Sequence, residues 1–326
     1  MAVRPINPLL DAILRLLLVL ELARQIHYCY TQRSSNPDQF RMFVICFGVT
    51  IAAIVLSKKL FRFLGAAISA KKADDPLSNA VTMKKWEDQG WQWVIHVTMT
   101  VCEVYLLSYG EGRKWFQDYD SVGCPDDYDI SWELENFVLL QLTIWLVTGF
   151  SCTFFEERRK DYLEMMFHHV LTNLIIGTAI VNKEHGWALL ILFVHDSSDV
   201  LVDTLKLSNY MKYEGPKYFF LSEICFVTLV YCVWPLCRMY MYPAMILSVF
   251  QSLQWKCSTP NEFTYDVREV ELWITVRTFL LLLLLGLHCF WWVLFNKITY
   301  SIVVGGAKGS DAGNAEYEGG PKKKDK

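Results

Sequence analysis

The sequence has no Asn-x-Ser/Thr sequon, no Cys-x-x-Cys pair and no HxxxH or HxxHH box. Without a sequon, glycosylation gives no marker of which loops face away from the cytosol. Most of the ten cysteines lie inside hydrophobic runs, so a cysteine zinc site is excluded and those thiols read as small buried hydrophobes. Membrane di-iron hydroxylases and desaturases need about eight histidines in their boxes. This chain has seven, none so spaced, and no metal is expected. Charge is also scarce, at 20% of residues with a net of −3, and no nucleic-acid partner is expected. The N-terminal stretch lacks the n-region and cleavage-site pattern of a secretory signal.

What the chain has in abundance is apolar sequence bunched into runs. Its 326 residues are 53% hydrophobic and 15% aromatic, which indicates an all-α polytopic membrane protein. Pro8 to Tyr30 is apolar but interrupted by Asp11, Arg15, Glu21 and Arg24 at roughly helical spacing, and reads as an interfacial amphipathic helix. Seven segments follow that are long enough to cross a bilayer: Phe40–Leu64, Trp91–Tyr109, Leu134–Phe155, Phe167–Val181, Trp187–Leu205, Tyr218–Leu236 and Leu272–Phe295.

The loops between them are sorted by charge. Lys58, Lys59, Arg62, Lys71, Lys72, Lys84 and Lys85 follow the first span; Arg158, Arg159 and Lys160 follow the third; Lys206, Lys212 and Lys217 follow the fifth. Basic connections mark the cytosolic side, whereas the acidic loop Gly110 to Glu133 belongs in the lumen. Residues 305–326 carry Gly, Lys and Asp without an apolar face and are expected to be disordered. They end Lys323-Lys324-Asp325-Lys326, like a dilysine retrieval signal, which places the C-terminus in the cytosol and the protein in the endoplasmic reticulum membrane. A merely basic tail is the alternative. Cys124 and Cys257 would both be lumenal and are candidates for a disulfide; two lone thiols are the other reading. The resulting division is 1–85, with the interfacial helix, first span and basic loop; 86–298, the catalytic transmembrane domain; and 299–326, the tail.

The most expensive residues lie between Arg158 and Tyr210. Ionisable groups at membrane depth usually face one another or a cavity and mark function. Here they are His168 and His169 in one segment and His195, Asp196, Asp199 and Asp203 in the next. The two segments read as a tight antiparallel pair turning near Lys183 to His185, with His169 level with Asp199. At ~1.5 Å per residue both lie ~20–23 Å from the turn, in the cytosolic half. His195, Asp196, Asp199 and Asp203 recur at three and four residues and share one broad helix face. His27, His96 and His288 read as isolated, His185 as solvated, and Asp203 as a possible partner of Lys206 or Lys160.

An imidazole held by a carboxylate can act as general base or nucleophile. That suits acyl transfer from a thioester to an amine, which must lose protons. Arg158, Arg159, Lys160 and Lys206 could hold the phosphates of coenzyme A, although positive-inside topology alone would also explain them.

The run RRKDYLEMMFHHVLT, then Asn182, Gly186, HDSSD, Lys206 and Asn209-Tyr210, resembles the Lag motif of ceramide synthases, the sphingoid-base N-acyltransferases with a TLC domain. The resemblance covers about fifty residues closely and Trp86 to Phe295 more loosely, as a six-helix TLC-type bundle. It implies an endoplasmic-reticulum enzyme that joins a fatty acyl-CoA to a long-chain sphingoid base within membrane lipid, releasing (dihydro)ceramide and CoA without a cofactor. Its implied catalytic residues are His168, His169, His195, Asp196 and Asp199, with Asp203 catalytic or structural. Assembly as a homo- or hetero-oligomer stays open. The sequence departs from the motif at His185, where the family often has Arg, at Gly177, where it has Ser, and at Asp203-Thr204-Leu205; Gly65 to Gly90 is too short for a homeobox-like domain. A non-catalytic TLC-domain protein that binds or transfers lipid, or attends a translocon, is the alternative function.

Overall fold

The computed structural model describes residues 7–31, 37–70, 76–110, 131–156, 161–213, 215–258 and 267–304. Among them there is no strand. The helices are α1 Pro8–Thr31, α2 Pro37–Ser69, α3 Ala80–Tyr109, α4 Trp132–Phe154, α5 Tyr162–Val181, α6 His185–Tyr210, α7 Leu221–Thr228, α8 Tyr242–Ser258 and α9 Val267–Val303. Two π-helical stretches, Leu229–Val233 and Pro235–Met241, join α7 to α8. Pro235 has no N–H to give the preceding turn, which frees the backbone to widen there.

Among the described residues, five segments are long and apolar enough to cross a membrane: Asp38–Ser69, Trp132–Phe154, Tyr162–Val181, Leu221–Gln251 and Thr275–Val303. The protein is therefore an all-α, multi-pass membrane protein, but length and apolarity do not establish the expected count of seven. The other two expected spans lie in α3 and α6, which carry the buried acids Glu103, Asp196 and Asp203. Those acids lower the apolarity of the two helices without shortening them.

Helix starts follow ordinary capping chemistry. Asn79 accepts the N–H of Val81 at 2.9 Å, and Ser131 Oγ accepts that of Leu134 at 3.3 Å, each satisfying a first-turn donor. α2 and α3 form a close hairpin. A Cβ on Gly90 would strike the ring of Phe61, so glycine sets that approach. Trp86 Nε1 donates to Phe61 O at 2.9 Å, and Lys58–Asp88 and Arg62–Glu87 pair at 2.7 Å.

α5 and α6 do not form the tight pair expected from the sequence. α5 packs mainly on α4, α1 and α9, while α6 packs mainly on α3 and α7. The short turn fixes one end of the hairpin, with Lys183 in the left-handed region at φ 57°, and Glu184 pairs with Arg277 of α9. Beyond that turn the helices part around a cavity.

The N-terminal helix also differs from the interfacial helix that its charges suggested. Leu14, Leu18, Glu21, Gln25 and Cys29 are buried as one stripe, and Leu9, Leu16, Val19 and Leu20 are exposed. Tyr162 donates to Asp11 at 3.0 Å at one end, and Gly177 lies against Glu21, Arg24 and Gln25 at the other. α1 thus runs parallel to α5 along the bundle. Glu21 and Gln25 face protein together with Leu14, Leu18 and Cys29, while the outward side is largely apolar, the arrangement suited to lipid.

Candidate active site

The cavity measures about 130 Å³ and lies at the end of the bundle where α5 begins and α6 ends. α6 supplies Asp196, Asp199, Asp203 and Lys206 to its lining. These fall three, four and three residues apart, on one helical stripe. α5 supplies His168 and His169 from the opposite side, and α3 supplies His96.

The α5 histidines are set among aromatic rings. Trp145 of α4 lies 5.4 Å from the His168 ring and 5.7 Å from the His169 ring, and Trp291 of α9 lies 5.5 Å from His168. Asn173, one turn beyond, donates to His169 O at 2.8 Å and Trp145 O at 3.1 Å. That double bond fixes α5 to α4 and holds the imidazoles at their height. His168 Nδ1 is buried and has no hydrogen-bond partner among the described residues.

The α3–α6 side is cross-linked by polar side chains. His96 Nδ1 lies 2.7 Å from Asp203 Oδ2, and Gln89 Nε2 donates to Asp203 Oδ1 at 2.5 Å. Trp93 Nε1 donates to Thr204 Oγ1 at 3.0 Å. Deeper in, Gln141 of α4 donates from Nε2 to Asp196 Oδ2 at 2.7 Å and to Glu103 Oε1 at 3.0 Å, so three helices meet at one amide. Buried carboxylates need such donors.

A third set centres on Arg238, in the π-helical stretch Pro235–Met241. It is 2% exposed. Its Nε donates to Ser198 Oγ at 2.7 Å, while Nη2 donates to Asp199 Oδ1 at 2.7 Å and to His195 O at 3.0 Å. Nη1 lies 3.0 Å from His288 Nε2. The planar guanidinium can satisfy several acceptors in fixed directions, which suits it to a buried pair. The wide π turn presents Arg238 to α6 and α9 together.

The structure therefore brings together on one cavity His168, His169, Asp196, Asp199, Asp203 and Lys206. His195 is placed elsewhere. Its Nδ1 lies 2.6 Å from Ile191 O and so carries the hydrogen; its Nε2 lies 3.0 Å from His288 Nε2, and its ring meets Tyr242 at 5.1 Å. One residue before Asp196 is about 100° around the helix, which turns His195 toward α8 and α9. Three other expectations are corrected. His96 pairs with Asp203, His288 with the Arg238 set, and His185 is buried at 4% exposure instead of solvated.

Arg158, Arg159 and Lys160 lie outside the described residues, as do Cys124, the side chain of Cys257 and the tail from 305 to 326. Among the described residues, no group of three or more His, Cys, Asp or Glu is placed to hold a metal ion. Sequence reasoning missed Arg238, Glu103, Gln141 and the partners of His96 and His288. For Arg238 and Glu103 a signal existed, since each is a charged residue inside an otherwise apolar run.

A second cavity of about 270 Å³ adjoins the first and shares Val202, Lys206 and Phe295 with it. It opens between α6, α7 and the end of α9, and its wall is mostly apolar.

The sequence profile of the TLC domain matches residues 85–297, which include every residue lining the first cavity. Among curated proteins, the chain is 27% identical over 262 residues to ASC1-like protein 3 of Oryza sativa subsp. japonica, covering 77% of this chain and 85% of that protein. It is 27% identical over 289 residues to ceramide synthase LOH1 of Arabidopsis thaliana, covering 82% and 88%. It is also 27% identical over 233 residues to human ceramide synthase 5, covering 71% of this chain and 54% of the human protein. The matched segment, which carries the HH and HDSSD positions and has no strand among its described residues, makes the chain a member of the TLC-domain family.

Proposed function

We propose that the protein is a ceramide synthase: it transfers a fatty acyl group from acyl-CoA to the amine of a sphingoid base, giving (dihydro)ceramide and free CoA. The observation that carries this reading is the single cavity that gathers His168, His169, Asp196, Asp199 and Asp203 beside Lys206, in a chain similar to ceramide synthases over most of its length. A lipid-binding role has no evident use for so many ionisable groups around one small space.

The reaction forms a C–N bond at the thioester carbonyl and breaks its C–S bond. The amine loses protons and the departing thiolate gains one. His168 or His169 serves as base or as acyl acceptor. Lys206, on the wall between the two cavities, offers a cation to the phosphates of the carrier, and the basic run Arg158, Arg159 and Lys160 is a second candidate from the sequence alone. The adjoining, mostly apolar cavity extends the space beside the ionisable groups in a direction suited to an alkyl chain. Asp199 already accepts from Arg238, so its role is to anchor the α6 wall. The basic connections support an orientation with those loops in the cytosol, and an endoplasmic-reticulum location goes with the ceramide synthase reading.

The test is detergent-purified protein given sphinganine and a panel of acyl-CoAs, followed by mass spectrometry for N-acylated base and free CoA. The expected result is equal amounts of both, from a subset of chain lengths. Folded protein that retains bound lipid yet makes no amide from any acyl-CoA would favour the non-catalytic lipid-binding or transfer reading.

A further inference from the structure

The His96–Asp203 pair joins α3 to α6 across the cavity mouth. His96 lines the cavity, and its side chain keeps 16% of its surface open, while that of Asp203 keeps 4%. The carboxylate is held from both sides: Oδ2 faces His96 Nδ1 at 2.7 Å, and Oδ1 accepts from Gln89 at 2.5 Å. A carboxylate only accepts, so the hydrogen of neutral His96 sits on Nδ1. Nε2 is then the lone-pair nitrogen left for a ligand. A buried carboxylate behind an imidazole also stabilises the cation that forms when Nε2 takes a proton.

The cavity thus has two separate imidazole positions. The Trp145 ring lies 6.4 Å from that of His96 and 5.4 Å and 5.7 Å from those of His168 and His169, so it stands between them. The carboxylate bonds of His96 are complete, whereas His168 Nδ1 has no partner among the described residues. The His96 position has a buried carboxylate within hydrogen-bond distance to hold a positive charge.

We propose that His96, held by Asp203, is the base that takes the proton from the sphingoid ammonium, leaving the His168–His169 pair to the acyl side of the transfer. This rests on the ceramide synthase reading. The ammonium gives one proton to His96 Nε2, and the freed electron pair on nitrogen attacks the acyl carbonyl. The C–S bond breaks, the second N–H proton of the amine ends on the thiolate sulfur, and His96 returns its proton to water. Asp203 is a positioning residue, since it acts through His96.

The experiment compares two acceptors on the full-length purified protein: sphinganine, which arrives as an ammonium, and hydroxylamine, which is the free base at neutral pH. Wild type is expected to acylate both. His96→Ala and His96→Gln are expected to lose sphinganine acylation by about 10²–10⁴-fold while keeping acyl transfer to hydroxylamine; the glutamine variant preserves a donor to Asp203. Asp203→Asn is expected to show the same split, more weakly. Loss of both activities in the His96 variants would assign His96 to the fold or the acyl step and overturn the proposal. Sphinganine acylation at the wild-type rate in either His96 variant would overturn it while leaving the enzyme reading intact. No amide from wild type would overturn both.

Discussion

The two long walls of the cavity hold their polar side chains in opposite ways. On the α3–α6 wall nearly every charged group is tied to another: Asp203 to His96 and Gln89, Asp196 to Gln141, Asp199 to Arg238. On the α5 wall His168 meets Trp145 and Trp291 edge-on, and His169 lies tilted against Trp145. A polar group without a partner at membrane depth costs several kcal/mol by transfer estimates, on the order of 2–7. The cross-linked wall avoids that cost and so serves mainly as scaffold, with His96 as the group it presents to the cavity. The aromatic wall accepts some of it at His168, whose Nδ1 has no partner among the described residues. The comparison teaches that carboxylates in an intramembrane site are not all reagents; most here are tie-points.

The sharpest way to break this contrast is to remove a group from each wall. His168→Ala and His169→Ala are expected to lower N-acylation by about 10³-fold or more, as removal of a nucleophile or base does, with melting in detergent unchanged. A large drop in melting temperature would place these histidines among the tie-points. Arg238→Met should do the reverse. It strands Asp199 with the Ser198, His195 and His288 groups around it. Removing one member of a buried pair costs about 3–5 kcal/mol, so thermal melting should fall steeply before any activity is assayed.

Smaller effects should come from the helices that carry the walls. Gly90→Ala would drive a Cβ into the rigid Phe61 ring and separate α2 from α3, at a cost of about 1–3 kcal/mol for overpacking; urea or thermal unfolding checks it. Gly177→Ala meets only the ends of Gln25, Glu21 and Arg24, which can swing aside. Its cost should be the smaller of the two, and a larger one would mean that α1 is held more rigidly than its side chains suggest. Lys206→Ala should raise KM for acyl-CoA by about tenfold, the value of one charge-assisted contact near 1.4 kcal/mol, and leave kcat little changed.

Much of this site was legible because its residues are neighbours in sequence. HH and HDSSD announce themselves inside apolar runs, and spacing alone puts Asp196, Asp199 and Asp203 on one stripe. The helical class and the positions of the apolar spans were legible for the same reason: long apolar runs leave few alternatives in a bilayer. The partners were not. His96, Gln141, Glu103, Arg238 and His288 each stand alone in sequence, and only the packing of α3, α4, the π turn and α9 around α6 brings them together. His195 falls four residues from Asp199 and so reads as part of the same broad face, yet its ring meets His288 and Tyr242 instead. α1 misled because its charges fall on one side, as on an interfacial helix, although that side faces protein.

The most direct test of the central claim is a time course of N-acylsphinganine and free CoA from equal amounts of folded wild type, His168→Ala and Arg238→Met, with each melting temperature measured alongside. The account predicts matched amide and CoA from wild type, no product but an unchanged melting temperature for His168→Ala, and a strongly lowered melting temperature for Arg238→Met. Amide formation by His168→Ala at the wild-type rate would contradict it, as would its absence from wild type with every acyl-CoA tried.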